Sequence, residues 1–435
     1  MPYKQFFILG CIFAAMLLTP SSYACTTFCL DSDDNLVVGK NFDWPIGDAL
    51  LVVNKRNVTK TAYFWTGEQT AVWTSKYGSV TFNPHGAEHP FSGMNEVGLV
   101  VSAMGLSASI YQAPDSRPVI SALQWIQYQL DNAATVEQVF ASNLDLRISN
   151  GDQMTLHFLV CDSTGTCATI EFIDGELVYH TQETMPVKVL ANSMYSSDLE
   201  HWEKGEIPED DWSTTERFFT AAQMLEDYDS AVSGPAIDYT FDILSNLTWW
   251  IDTQWSIAYD IQNQRINFHT FGNENRRYVD LSSFDFSCST PVKVLDVQQD
   301  LSGDISDNFI DYTYEINRDL IEKAYAGYDV SDQFLDAIAG CPETTVCSEV
   351  CELDIKYRKI KSKKLTKSRK RMLRITGGEG FNPYDGIDLG PLTWQKMFFN
   401  ERKNRLRILA IVPEGLAPGI IPIRVGECFG EIEIH

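Results

Sequence analysis

From Cys25 to about Tyr63 the chain alternates apolar and polar positions or runs apolar in short bursts. "TTFCLD" and "NLVVGKNFDW" read as strands with "DSDDN" as the turn between them, and "LLVVNKR" reads as a third strand. "VWTSKYGSVTF" and "GMNEVGLVVSAMGL" form a further pair, with Asn95, Glu96, Val97 and Gly98 supplying turn chemistry. The period then changes. Ile120, Leu123, Ile126 and Leu130 line one face of a helix, and a second helix opens near Thr135. Strands return in "MTLHFLVCD" and "CATIEFIDGELVYH". "STTERFFTAAQMLEDY" predicts a helix with Ser213 as N-cap and Glu216 completing a capping box, and "SIAYDIQNQRINFHTFG" predicts a hairpin. This order of strands and helices predicts packed layers of sheet and helix rather than alternating βαβ units.

After about Pro291 the pattern shifts. An acidic, helical stretch leads into Cys341, Cys347 and Cys351 and then a basic run. The final segment is strand-rich with Pro and Gly turns and resembles the end of a small immunoglobulin-like domain. The chain therefore divides into a leader (1–24), a main domain (25–300), an acidic helical and cysteine-containing linker (301–354) and a smaller β-rich domain (355–435).

The leader has Lys4 in its n-region, an apolar run from Phe6 to Leu18, and Ser22-Tyr23-Ala24 before the first mature residue. It reads as a cleavable secretory signal, too short for a membrane span, and it predicts a secreted or periplasmic protein with no stable membrane insertion. A lipoprotein signal is the rival reading, since it also ends before a cysteine, although Ser22 stands where an aliphatic residue is wanted. The formal net charge is −25, and Ile355–Arg374 carries a concentrated share of the 34 Lys and Arg. The acidic remainder argues against nucleic acid as a partner, and the basic run reads as a solvated linker or strand face. Of ten cysteines, Cys11 lies in the leader. With Cys25 free, the other eight can pair. Cys161 and Cys167 flank the turn "DSTGT" and are placed to clip a hairpin, and the other pairings stay open. The spacing of Cys341, Cys347 and Cys351 does not suit a zinc site.

Cleavage after Ala24 would make Cys25 the first residue. An N-terminal cysteine carries its own base, because an α-amine with a reference pKa of about 7.7–8.0 can take the thiol proton directly or through water. Thiol attack on a carbonyl then needs oxyanion donors, a carboxylate to orient the amine, and a nearby cation to favour the thiolate. Neither metal nor cofactor is required. Taken alone, Cys25 has a plainer role as a disulfide partner.

"CTTF…GKNFDW", "WTSKYGSV", "GMNEVGL", "ANS" and "STTERFF", in this order, resemble the choloylglycine hydrolase family, N-terminal-nucleophile hydrolases that include bile salt hydrolases and penicillin V acylases. The resemblance spans Cys25 to Ser287 and lies closer to the Gram-negative branch. It implies an α+β, four-layer αββα core over 25–300 and hydrolysis of a linear N-acyl amide, a small-molecule substrate of bile salt, penicillin V or N-acyl homoserine lactone type. It also implies Cys25 as nucleophile, Asp43 as orienter of the amine, Asn192 at the oxyanion, Arg217 after a Ser/Thr-rich turn, and a backbone N–H near Gly105. Two positions depart from the family pattern. Lys40 stands where Arg is usual, and Gly105 stands where Asn, Tyr or Trp is usual. Trp44, Phe82 and Trp73 suggest an apolar acyl pocket, or else core. Plainer roles exist for Asp43 (turn end), Asn192 (loop cap), Arg217 (helix surface) and Lys40 (solvated strand end). A catalytically degenerate, disulfide-rich secreted binding protein is the alternative function, and the oligomeric state stays open.

Overall fold

A computed structural model of the protein describes residues 25–32, 35–63, 67–152, 154–207, 212–248, 253–328 and 330–340. It also describes the segments 346–347, 353–357, 368–377, 383, 387–400, 403, 405–416, 419–425 and 428–434. The leader, Cys341, Cys351 and the centre of the basic run lie outside the described residues. The chain divides into two compact units, residues 1–346 and 347–435.

The first unit is built on two sheets. A seven-stranded sheet runs, edge to edge, through 189–190, 26–32, 35–43, 253–260, 265–270, 273–280 and 303–304. A nine-stranded sheet runs through 176–181, 167–173, 156–161, 100–105, 92–95, 79–83, 50–54, 293–296 and 310–311. Their inner faces interdigitate. Phe82 of the second sheet lies 5.8 Å from the Trp255 ring and 5.4 Å from the Phe268 ring of the first. The Tyr259 hydroxyl donates to Ser92 Oγ at 2.7 Å. Helices Trp212–Glu226 and Ala236–Asn246 cover the outer face of the first sheet, and Ala122–Asn132 covers the second. The result is a four-layer αββα sandwich.

This layering explains the sequence pattern of Asn35–Asp43. Leu36 through Asp43 are all buried because both faces of the strand are covered, so apolar residues run on instead of alternating. The two-residue period survives in direction. Lys40 and Phe42 reach toward the opposing sheet, while Asn41 faces the helices and donates to the Leu244 carbonyl at 2.9 Å. The turn after Ser92–Asn95 works as predicted. Asn95 Oδ1 accepts from Val97 N and Leu99 N, and Gly98 takes a φ of +85. Thr135 caps Val136–Ser142 by accepting from Gln138 N. Trp212, not the residue after Ser213, opens the next helix, so Ser213 lies inside its first turn. Boundaries placed from sequence slip by a residue or two.

The predicted linker is different in kind. Gly303–Asp304 pairs with Arg277–Tyr278, and Ile310–Asp311 extends the nine-stranded sheet. Helix Tyr314–Ala324 buries Leu320 with Leu50, Val52 and Val294, and Asn317 Oδ1 accepts from Ala87 N at 2.8 Å. Residues 303–339 are therefore part of the first unit, because their amphipathic faces complete its outer layer. The division falls at 346/347 rather than at 354/355.

Among its described residues the second unit is a sandwich of seven antiparallel strands around Leu373, Ile375, Leu406, Ile408, Ile423 and Ile432. One sheet is ordered 353–356, 369–377, 405–412, 393–400, and the other 387–388, 419–425, 428–434. That is the A-B-E-D and C-F-G order of an immunoglobulin constant-type domain. Among the described residues no helix is long and apolar enough to cross a membrane.

Candidate active site

Cys25 sits at the mouth of the strand Thr26–Ser32 and is 1 % exposed. Its neighbour in the sheet is the strand that ends in Asp43, with Thr26 opposite Asn41 and Thr27 opposite Lys40. This pairing carries Asp43 to the thiol, and the Asp43 N–H donates to Cys25 Sγ at 3.4 Å. Asp43 in turn lies beside Thr253, whose hydroxyl donates to Asp43 Oδ1.

Lys40 is fully buried and crosses from one sheet to the other, where its Nζ donates to the Ala103 carbonyl at 2.5 Å. Burial pushes the Cys25 thiol above its ordinary range. The Lys40 ammonium is the strongest influence pulling it back; Asp43 adds to the rise, while the Asp43 N–H and Arg217 lower it. Burial likewise draws the Lys40 ammonium down, and the negative charges of Cys25 and Asp43 oppose that. Lys40 is therefore a buried amine in electrostatic contact with Cys25 and Asp43, not a solvated strand end.

Arg217 and Asn192 close the other side. Arg217 Nη1 donates to the Cys25 carbonyl at 2.8 Å and to Thr26 Oγ1 at 2.5 Å, while Nη2 donates to Asn192 Oδ1 at 3.1 Å. Asn192 Nδ2 donates to the Gly105 carbonyl at 2.8 Å, which leaves its second amide hydrogen for another acceptor. The neighbouring donors of that segment are occupied: Ala103 N–H goes to Phe91 O and Leu106 N–H to Thr155 O. Arg217 is 5 % exposed, so it is neither a helix-surface arginine nor solvated.

Five of the predicted residues (Cys25, Lys40, Asp43, Asn192 and Arg217) and the backbone of Gly105 thus converge. The aromatic assignments divide. Trp44 is half-buried and packs against Phe42, Phe91 and His85 next to Asp43. Phe82 is 0 % exposed in the core between the sheets, because its strand points it at Trp255 and Phe268. Trp73 is also elsewhere, donating to Asp131 Oδ2 at 2.7 Å within a buried cluster that includes Lys60.

The cysteines also depart from expectation in one respect. Cys161 and Cys167 are bonded across their hairpin, and Cys288 is disulfide-bonded. Cys29 is a second free, buried thiol, its pKa pushed up to about 12 by burial, so the eight cysteines expected to pair beside a free Cys25 do not all do so.

Sequence reasoning missed three buried groups around Asn192. His157 Nε2 contacts the Ala191 carbonyl at 2.8 Å, and His157 Nδ1 lies 3.1 Å from Glu171 Oε1. Asp198 accepts from Ser193 Oγ at 2.5 Å and from Thr215 Oγ1 at 2.9 Å. The signal available was a charged or titratable residue inside each of two otherwise apolar strands, "LHFLVC" and "CATIEFI".

Two facing sheets clad by helices, with a cysteine at the head of the first strand, define the fold of the N-terminal-nucleophile hydrolases. Residues 25–204 match the family model of the linear amide C-N hydrolases, choloylglycine hydrolase family. A penicillin V acylase of Pectobacterium atrosepticum is 31% identical over 191 residues, which are 40% of this chain and 50% of that protein. The chain thus aligns with about half the length of this curated relative. The structure of penicillin V acylase from Agrobacterium tumefaciens superposes with a TM-score of 0.58 at 25% identity, over 66% of this chain and 98% of that one. A variant of conjugated bile acid hydrolase from Clostridium perfringens shares the fold at a TM-score of 0.53 and 18% identity, over 64% and 98% of the two chains.

Proposed function

We propose that the protein is an exported amidase that hydrolyses linear N-acyl amides with Cys25 as an N-terminal nucleophile. The observation that carries this reading is the convergence on one thiol of a buried cation, Lys40, and the hydrogen-bonded chain Cys25–Arg217–Asn192–Gly105. After removal of residues 1–24 the Cys25 α-amine takes the thiol proton, and Asp43 orients that amine. Sγ attacks the amide carbon, and the Sγ–C bond forms as the carbonyl electrons move to oxygen. The free Asn192 amide hydrogen and a backbone N–H at Gly105 stabilise that oxyanion. The intermediate collapses to an acyl-thioester, the C–N bond breaks, and the leaving amine receives the proton. The α-amine then deprotonates a water, which attacks the thioester and releases the acid and the thiol. The names of the relatives support penicillin V and conjugated bile acids as substrate types to assay first, with N-acyl homoserine lactones beside them.

The test combines N-terminal sequencing and intact mass of exported protein with alkylation by iodoacetamide and assay on those three amide classes. A chain beginning at Cys25 with one fast-alkylating thiol, amide turnover, and no turnover in Cys25→Ala supports the reading. Turnover near wild type in Cys25→Ala, or an acylated terminus, overturns it.

A further inference from the structure

We infer that two buried acids, Asp198 and Glu171, are positioning residues that set the Asn192 amide for the oxyanion; this rests on the amidase reading above. Asn192 lies on the short connection between strand Val189–Leu190 and helix Tyr195–Lys204. A connection of this kind has few ladder hydrogen bonds of its own, yet here it is held from both sides.

On the first side stands the His157–Glu171 pair, 0 % and 1 % exposed. The two residues lie across the hairpin formed by Leu156–Cys161 and Cys167–Ile173. His157 Nε2 faces the Ala191 carbonyl, which can only accept, so Nε2 carries a proton. Nδ1 faces a carboxylate oxygen, so a further proton lies between His157 and Glu171. Glu171 Oε1 also accepts from Tyr195 N at 3.1 Å. The pair therefore grips the chain one residue before Asn192 and again three residues after it. It does so from the nine-stranded sheet, whereas Val189–Leu190 belongs to the seven-stranded one.

On the second side stands Asp198, 0 % exposed. One oxygen accepts from Ser193, the residue after Asn192, and the other from Thr215, two residues before Arg217. A single carboxylate thus ties together the two segments whose side chains meet in the Arg217–Asn192 hydrogen bond. A carboxyl group accepts at both oxygens here, whereas an amide must present a donor to one of the two hydroxyls. Burying a carboxyl group is costly unless it is fully hydrogen-bonded, and its cost is matched to a site that needs Asn192 fixed rather than mobile.

The experiment uses the mature protein and the best amide substrate of the wild type. Asp198→Asn and Glu171→Gln should each lower kcat ten- to a hundredfold with KM within about threefold, while iodoacetamide alkylates Cys25 at the wild-type rate. Ser193→Ala and Thr215→Val, which delete one donor and leave the carboxylate, provide milder versions should Asp198→Asn fold poorly. In an Asn192→Ala background the added substitutions should have no further effect on kcat, a non-additivity that a purely structural role would not give. Losses that multiply in that background, or unchanged kcat in the single variants, overturn the inference and leave the amidase reading standing. A wild-type protein with an alkylatable Cys25 but no amide turnover overturns both.

Discussion

Arg217 and Asn192 are joined side chain to side chain, Nη2 to Oδ1 at 3.1 Å, while Nη1 of the same guanidinium holds the Cys25 carbonyl at 2.8 Å. One planar fork therefore spans the nucleophile's backbone and the proposed oxyanion donor. A lysine could reach one of these partners but not both in fixed geometry. Arg217→Lys is expected to lower kcat/KM by about a hundredfold, about 2.7 kcal/mol at 1.36 kcal/mol per decade. Steady-state kinetics on an N-acyl amide, with thermal melting to confirm folding, checks this.

Lys40 is the strongest stabiliser of the Cys25 thiolate against a burial that disfavours it. Lys40→Met keeps most of the volume and removes the charge. The thiol pKa then rises, so kcat/KM near neutral pH falls about tenfold or more and recovers as pH increases. The pH profile of iodoacetamide alkylation should move in the same direction. Lys40→Arg retains the charge and should stay within about tenfold of wild type, and loss of all activity in it would remove Lys40 from the site.

His85 and His89 are both buried, His85 lies against Trp44 and Phe91, and among the described residues neither ring nitrogen of His85 has a hydrogen-bond partner. Burial lowers their pKa values to about 3 and about 4, from 6.5. Below pH 6.5 the unfolded chain binds more protons at these sites than the folded one, so stability falls as pH drops toward 4 and is retained above 6.5. Between pH 7 and pH 4, His85 alone should account for on the order of 3 kcal/mol. Denaturant titrations at pH 7 and pH 4.5 should show this loss, and His85→Phe should reduce it.

Gly39 stands opposite Phe28 in the two strands that present Cys25 and Asp43, and a Cβ there would come within 2.4 Å of the Phe28 ring. Phe28 is fully buried, so the ring has core neighbours on every side. Gly39→Ala should cost about 1–3 kcal/mol of stability by overpacking, with kcat reduced because the register next to Lys40 is disturbed. A melting temperature equal to wild type would show that the ring can relocate.

The extent to which the site was readable depended on how local its signals are. Cys25, Asp43 and Lys40 fall within one hairpin, and the family resemblance of the motifs that hold them named all three. Asn192 and Arg217 came only from their motif order. His157, Glu171 and Asp198 carry no local signature, and their positions become meaningful only when two hairpins and a helix start are packed around one loop. Phe82 shows the converse. An aromatic residue near a site in sequence faces whatever its strand direction dictates, here the sheet opposite.

By itself the sequence pattern determined most of the strands and helices and their packing as layers of sheet and helix, because hydrophobic period and turn chemistry act over a few residues, whereas the αββα class was implied by the family resemblance of its motifs. Tertiary structure decided the rest. It made Gly303–Ala339 part of the main unit, left Cys29 as a second thiol, and turned Lys40 from a strand-end lysine into a buried cation facing Ala103. Each of these depends on which surface lies across from a side chain, and two sheets meeting face to face settle that through contacts between residues far apart in the chain.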